Sequence, residues 1–327
     1  MTQPNSQSPN IQPWSASLLR RDLSARAHHL AQTQNLLHDI SPGSDPAIIF
    51  GRDEQGRHGN FHPASDTNIC ANAAWLRRLA KPHTASRRSR ARKDWQWMEL
   101  DSANSSDALL MNIFCHPGVF NGHAIAPAVA NLLNIEPATH PCFGINPGVP
   151  LRQHTTERSR RRVRTQQQPD LFGSINRSIS LDKSTNLDES NHLKDRTEID
   201  LQLDNLFLEA KLTESNFQTA APRLIKRYRD LETIFDLISL PRKDTGVIQG
   251  YQLIRNVLAA FASDASFCVL CDARRRDLIE IWYSVLSAVH YPSFAWRLKL
   301  LTWQELASVL PKDLQQFLEA KYGIIAA

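Results

Sequence analysis

The chain has 327 residues, 42% hydrophobic and 22% charged, the proportions of a soluble globular protein with one large domain or two modest ones. No run reaches the roughly 18 uninterrupted apolar residues of a membrane-crossing helix, and the opening MTQPNSQSPN lacks the basic and apolar regions of a signal peptide, so no membrane partner is expected. Five scattered cysteines point to reduced thiols and a cytoplasmic setting, and a net charge of +5 permits nucleic-acid binding without requiring it.

Residues 1–13 are polar and proline-containing, the composition of a disordered tail. Residues 14–94 read as a helical and loop-rich N-terminal extension. Within it, Leu18, Leu19, Leu23, Leu30, Leu36 and Leu37 suit one or two amphipathic helices over 14–40. A loop is expected over 41–66. Its His58 and His62 have no cysteine or carboxylate pattern beside them and read as ordinary loop residues rather than metal ligands. A short helix over 68–80 carries Trp75 and stops before Pro82. Then comes a basic run, Arg87, Arg88, Arg90, Arg92 and Lys93, beside Trp95 and Trp97; it fits either contact with a phosphate backbone or a solvated loop.

From 95 onward the pattern is that of an α/β domain. A helix is predicted over 105–115, with Glu99 and Asp107 flanking or occupying its first turn, and a shorter one over 122–134. Residues 142–151 form a candidate strand that its prolines restrict to an edge. Residues 152–195 are polar, with Arg158, Arg160, Arg161, Arg162 and Arg164 close together. They read as a long mobile insertion able to contact DNA. After residue 214 a helix is expected over 220–238, with Leu224, Tyr228, Leu231, Phe235 and Ile238 on one face. A second follows over 247–262, carrying Tyr251, Gln252, Arg255 and Asn256. A buried strand over 266–271, a helix over 274–289, a strand over 295–301, a helix begun by Thr302 and a terminal helix ending at Gly323 complete the order. Cys268 and Cys271 lie three apart on a strand, on opposite faces, which argues against a zinc site. Asp272, Arg274 and Arg275 either line a site or cap a helix.

The stretch TEIDLQLDNLFLEAKLTE, 197–214, reads as a hairpin turning at Asp204 and Asn205, residues that tolerate positive φ. Leu203 then pairs with Leu206, Leu201 with Leu208, Asp200 with Glu209 and Glu198 with Lys211. One face carries Ile199, Leu201, Leu203, Leu206, Leu208 and Ala210; the other carries Glu198, Asp200, Gln202, Phe207, Glu209 and Lys211. Carboxylates directly opposite each other destabilise a sheet unless a positive charge offsets them, and a divalent cation is the natural candidate. The bland alternative is a solvated face with an incidental Glu198–Lys211 pair, worth little when exposed.

Asp200 followed by Glu209, Ala210 and Lys211 resembles the signature of the PD-(D/E)xK phosphodiesterase superfamily, which includes many restriction-type nucleases. The wording SSDALLMNIF, EAKLTESNF, YQLIRN and LTWQEL with KYGI looks like a restriction-endonuclease-like branch, over roughly 95–323. The resemblance implies a restriction-endonuclease-like core at 95–327, a mixed β-sheet flanked by helices, behind a helical N-terminal extension. It implies Mg²⁺, with Mn²⁺ as a substitute, held by Asp200, Glu209 and the Ala210 carbonyl. Lys211 would orient or deprotonate the attacking water, and Gln252 would sit near the metal. Ile199 stands where the named motif has proline. A further carboxylate from the preceding helix could be Glu99 or Asp107, and Tyr251 and Arg255 could meet substrate phosphate. The expected function is Mg²⁺-dependent hydrolysis of DNA phosphodiesters, with a homodimer as one assembly. Two alternatives are a non-catalytic nucleic-acid-binding or adaptor protein on the same fold and a nuclease acting on RNA or branched DNA.

Overall fold

The computed structural model describes residues 14–82, 98–152 and 194–327. The basic runs at 87–93 and 158–164 lie outside the described residues, as does the predicted tail at 1–13.

The architecture is mixed α/β, built on a five-stranded sheet flanked by helices. Its strands are β3 (Cys142–Ile145), β6 (Ile199–Leu203), β7 (Leu206–Ala210), β10 (Ser266–Cys271) and β11 (Leu298–Thr302), in the order β11-β10-β7-β6-β3. The hairpin turns where expected. Asp204 takes φ 52, and the pairs Leu203–Leu206, Gln202–Phe207 and Leu201–Leu208 set the register. β7 and β10 pair in parallel because α8 (Tyr251–Ala262) carries the chain back between them, and α9 (Arg276–Leu286) does the same for β10 and β11.

Both faces of the sheet are covered, so β7 and β10 are buried almost throughout. On one face Leu201, Leu203, Leu206, Leu208, Cys268 and Leu270 join a core with Leu19 and Leu23 of α1 (Ala16–Thr33), Ile69 of α2 (Pro63–Ala71), and Trp75 of α3 (Ala73–Leu79). That core also takes most of α4 (Ser106–Phe114), with Leu133 of α5 (Pro127–Leu133), Trp303 of α11 (Trp303–Ala307) and Leu314 and Leu318 of α12 (Lys312–Tyr322). On the other face Phe207, Phe267, Val269 and Cys271 pack under α8 and α9, with Trp282 at the centre. Cys268 and Cys271 do fall on opposite faces.

Three expectations are corrected. The loop predicted over 41–66 contains β2 (Ile48–Phe50), wholly buried and paired with β1 (His38–Ile40). The single helix over 68–80 is two, because the Asn72 side chain accepts from the Ala74 and Trp75 amides and starts α3 afresh. The helix over 220–238 shrinks to two single turns, α6 (Pro222–Ile225) and α7 (Leu231–Ile234). Between them the backbone bonds to the end of β4 (Gly148–Pro150) instead: the Arg229 amide donates to Pro150 and the Arg152 amide to Arg227. Tyr228, Leu231 and Phe235 are buried as predicted, but Leu224 and Ile238 are exposed.

Candidate active site

The site lies where the central hairpin splits. The regular ladder between β6 and β7 ends at Leu201–Leu208. One step further the Ala210 amide donates to Asp200 Oδ2 at 2.8 Å, so a side chain replaces a strand carbonyl. On the other edge of β6, Gly144 is the residue across from Asp200. It takes φ 63 and packs against the Arg78 guanidinium, where a Cβ would meet Nη1 at 2.0 Å. The strand therefore changes face at Asp200. This corrects the placing of Ile199 with the other leucines of the hairpin: it packs with Phe207 and Tyr228 on the α8 side, while Leu201 stays on the α4 side.

Glu209, near the end of β7, is fully buried, with three hydrogen bonds to its carboxylate. Oε1 accepts from Lys211 Nζ at 2.7 Å and from Gln252 Nε2 at 2.6 Å; Oε2 accepts from Asn256 Nδ2 at 2.7 Å. Gln252 and Asn256 are one helical turn apart on α8, so one face of that helix reaches the carboxylate twice. Lys211 is buried too, with its ammonium 5.6 Å from the Phe217 ring centre and its carbonyl held by the Trp303 indole at 2.9 Å. Asp200, Glu209, Lys211 and Gln252 are thus brought together. The Ala210 amide is tied to Asp200.

Burial first, then the charges of Glu209 and Asp107, push the Asp200 carboxyl well above the usual aspartate range. Burial also raises Glu209, with Lys211 pulling against it. For Lys211, burial alone would lower the pKa, but Glu209, Glu214 and Asp200 outweigh it and keep the group an ammonium beyond the ordinary lysine range. Among the described residues Asp200 makes a single side-chain hydrogen bond, leaving most of its lone pairs free, and the residue as a whole is only half-buried. Crowded, hard oxygen donors whose repulsion a cation would relieve fit a divalent metal of the magnesium type.

Around this centre, Arg78 and Lys81 clamp a second set of acids. Arg78 Nη2 lies 2.6 Å from Asp107 and Nη1 3.2 Å from Glu198, and Lys81 Nζ lies 2.7 Å from Glu198 and 3.1 Å from Glu99. The expected Glu198–Lys211 pair is therefore replaced: Glu198 belongs to Lys81 and Arg78, and Lys211 to Glu209. Of the two carboxylates left open, Asp107 is the one whose charge acts on Asp200; Glu99 sits behind Lys81, its own carboxyl raised by burial and Asp107.

Residues 35–323 match the model of a family described as Restriction Endonuclease associating with ARP. The match spans well over half of the chain. The chain belongs to that family. No curated protein and no solved structure gives a significant match. The mixed sheet and its flanking helices are compatible with a restriction-endonuclease-like fold, and the family's description is that of a restriction endonuclease. The match carries no residue roles, so the chemistry rests on the geometry above.

Several residues take places in this family member that sequence reasoning did not assign. Asn256 carried a legible signal: it lies four residues after Gln252 and so on the same helix face. Thr197 carried none, because its hydroxyl reaches Asn256 Oδ1, at 2.7 Å, only through the tertiary fold. Tyr251 and Arg255 turn away from Glu209. The Tyr251 hydroxyl bonds that of Tyr228 at 2.8 Å, and Arg255 lies 3.5 Å from Asp195 on β5 (Lys194–Arg196). Asp272 and Arg275 brace strand ends: Asp272 accepts from Arg274 and Gln304, and Arg275 pairs with Asp277 and reaches the Leu212 carbonyl.

A separate cluster, His62, His116 and Asp313, has the composition of a metal site. Its hydrogen bonds argue otherwise. His62 Nδ1 accepts from the Ala64 amide at 3.2 Å and His116 Nδ1 from the Gly118 amide at 3.1 Å. A neutral imidazole has one donor and one acceptor nitrogen, so each ring carries its proton on Nε2, the atom turned toward Asp313. Ligation there would require that proton to move to Nδ1, which would set it against the amide N–H that Nδ1 now accepts from. The trio is a carboxylate facing two N–H groups.

Proposed function

We propose that this protein is an endonuclease that hydrolyses DNA phosphodiesters with Mg²⁺, or Mn²⁺ in its place, on the pattern of the PD-(D/E)xK superfamily. The observation that carries this reading is the convergence of Asp200 and Glu209 at the split of the hairpin, with Lys211 bonded to Glu209. Asp200, Glu209 and the Ala210 carbonyl would hold the cation, with Asp107 the nearest further carboxylate. When bound, such an ion supplies a water of lowered pKa and stabilises charge on the phosphate.

The protein's own groups do the remainder. Asp200, which holds its proton unusually well without metal, would release it to solvent when a cation binds. Gln252 and Lys211 hold Oε1 of the Glu209 carboxylate. Lys211, held as an ammonium by the carboxylates around it, donates N–H bonds to the oxygen on which negative charge develops. General-base work would need the neutral amine, which that environment disfavours, so of the two roles expected for Lys211 the electrostatic one is favoured.

DNA as substrate draws support from the family's description and from the basic sequence of residues 153–193. That segment carries five arginines between 158 and 164, a density suited to phosphate contact. The same description speaks of association with ARP, which makes a protein partner part of this reading. The test is cleavage of supercoiled plasmid with Mg²⁺, with and without EDTA, by the wild type and by Lys211→Ala. The wild type should nick or linearise the plasmid only with metal, and the variant should lose roughly 100-fold or more in rate. Equal activity in both proteins, or none with any divalent metal, overturns the catalytic reading.

A further inference from the structure

We propose that Thr197 and Asn256 act as a positioning relay that fixes the Glu209 carboxylate for cation binding; the inference rests on the reading of Asp200 and Glu209 as a cation site. A glutamate has three side-chain torsions, and the last of them turns freely unless both oxygens are held. Lys211 and Gln252 both bond Oε1. Among the described residues Asn256 alone bonds Oε2, at 2.7 Å, so it is the contact that stops rotation of the carboxylate.

Asn256 can do this only with its NH₂ toward Glu209, since a reversed amide would set its carbonyl oxygen against a carboxylate oxygen. Thr197 selects the right orientation. Its Oγ1 donates to Asn256 Oδ1 at 2.7 Å, leaving the amide nitrogen for Glu209. Thr197 is 2% exposed and Asn256 and Glu209 not at all, so bulk water has little access to replace either link. The relay is also neutral. Unlike Lys211 it steadies Glu209 without cancelling the negative charge that a cation would need. Its outer end is anchored: the Thr197 amide donates to Pro147, and Arg255, next to Asn256, donates to the Arg196 carbonyl, next to Thr197. Groups that orient a ligand from behind typically change metal affinity by roughly 10- to 100-fold when removed.

The test is calorimetric titration of Mn²⁺ into the chelator-stripped full chain, with melting temperature recorded for each protein. Wild type should bind, and Asp200→Ala should not. Thr197→Val keeps shape and loses the hydroxyl; its Mn²⁺ affinity should fall by about 10- to 100-fold. Thr197→Ser should restore it. Asn256→Ala should fall at least as far, and adding Thr197→Val to it should cost nothing more, because the relay is already cut. If Thr197→Val does not fold, Asn256→Ala against Thr197→Ser carries the same comparison. A pair that only fills the core predicts lower melting temperatures with wild-type Mn²⁺ affinity; that result overturns the relay and leaves the cation site standing. No Mn²⁺ uptake by the wild type overturns both.

Discussion

Asp200 holds its proton to a higher pH than an ordinary aspartate, because burial and then Glu209 and Asp107 disfavour its charge. Its folded pKa lies above the unfolded one, so between the two values the folded state binds more protons and its stability falls as pH rises. The metal-free protein therefore carries a penalty at neutral pH that vanishes in acid. Asp200→Asn removes it. The variant should melt higher than the metal-free wild type at neutral pH, by roughly 2 °C for about 1 kcal/mol of relieved repulsion. The gain should shrink as pH falls from the raised folded value toward the unfolded aspartate range and be gone below it, and Mg²⁺ should raise the melting temperature of the wild type only. Thermal scans across pH, with EDTA and then with Mg²⁺, read all three. A constant difference at every pH would show that Asp200 is not the strained group.

At the scale of elements, the hairpin departs from regularity only at Asp200, and Gly144 shares that departure. Its φ of 63 and its contact with Arg78 leave no room for a side chain. Gly144→Ala should cost about 1–3 kcal/mol and displace Arg78 from Asp107 and Glu198; denaturant unfolding measures the loss. A neutral result would mean that the strand edge relaxes without disturbing Arg78. The register of this hairpin was legible in the sequence because an Asp-Asn turn between alternating leucines admits one pairing. The face of Ile199 was not, since alternation assumes an unbroken strand and cannot report a split. Helicity over 220–238 misled for a related reason. The spacing of Tyr228, Leu231 and Phe235 is helical, yet pairing with residues 150–152 claimed the backbone between the two turns. Local pattern thus put Asp200, Glu209 and Lys211 on one hairpin and the family resemblance pointed to Gln252, whereas Thr197 and the Arg78 clamp depend on contacts between distant segments.

In the whole molecule, the N-terminal helix is wired to the site although it precedes the matched residues 35–323. Leu19 and Leu23 of α1 lie in the same core as Leu201, Leu208 and Trp303, and that core extends to Leu314, Leu318 and Tyr322 of α12. Polar contacts repeat the link. Arg20 donates to the Thr213 carbonyl, two residues past Lys211, and Arg274, after β10, lies 3.6 Å from Asp22 and over the Trp14 ring. A core continuous from α1 to the sheet should unfold as one unit. Leu23→Ala, at a fully buried position, should cost about 2–5 kcal/mol through lost burial and the cavity left behind. Calorimetry should show a single transition at lower temperature, with loss of Mn²⁺ binding following the same transition. Two transitions, with Mn²⁺ retained through the first, would instead mean that the helix and the sheet are separate folding units. Removing residues 1–34 is the harsher form of the same test: it would strip α1 from Tyr322 and Leu201, and the remainder should expose that core and fail to melt cooperatively.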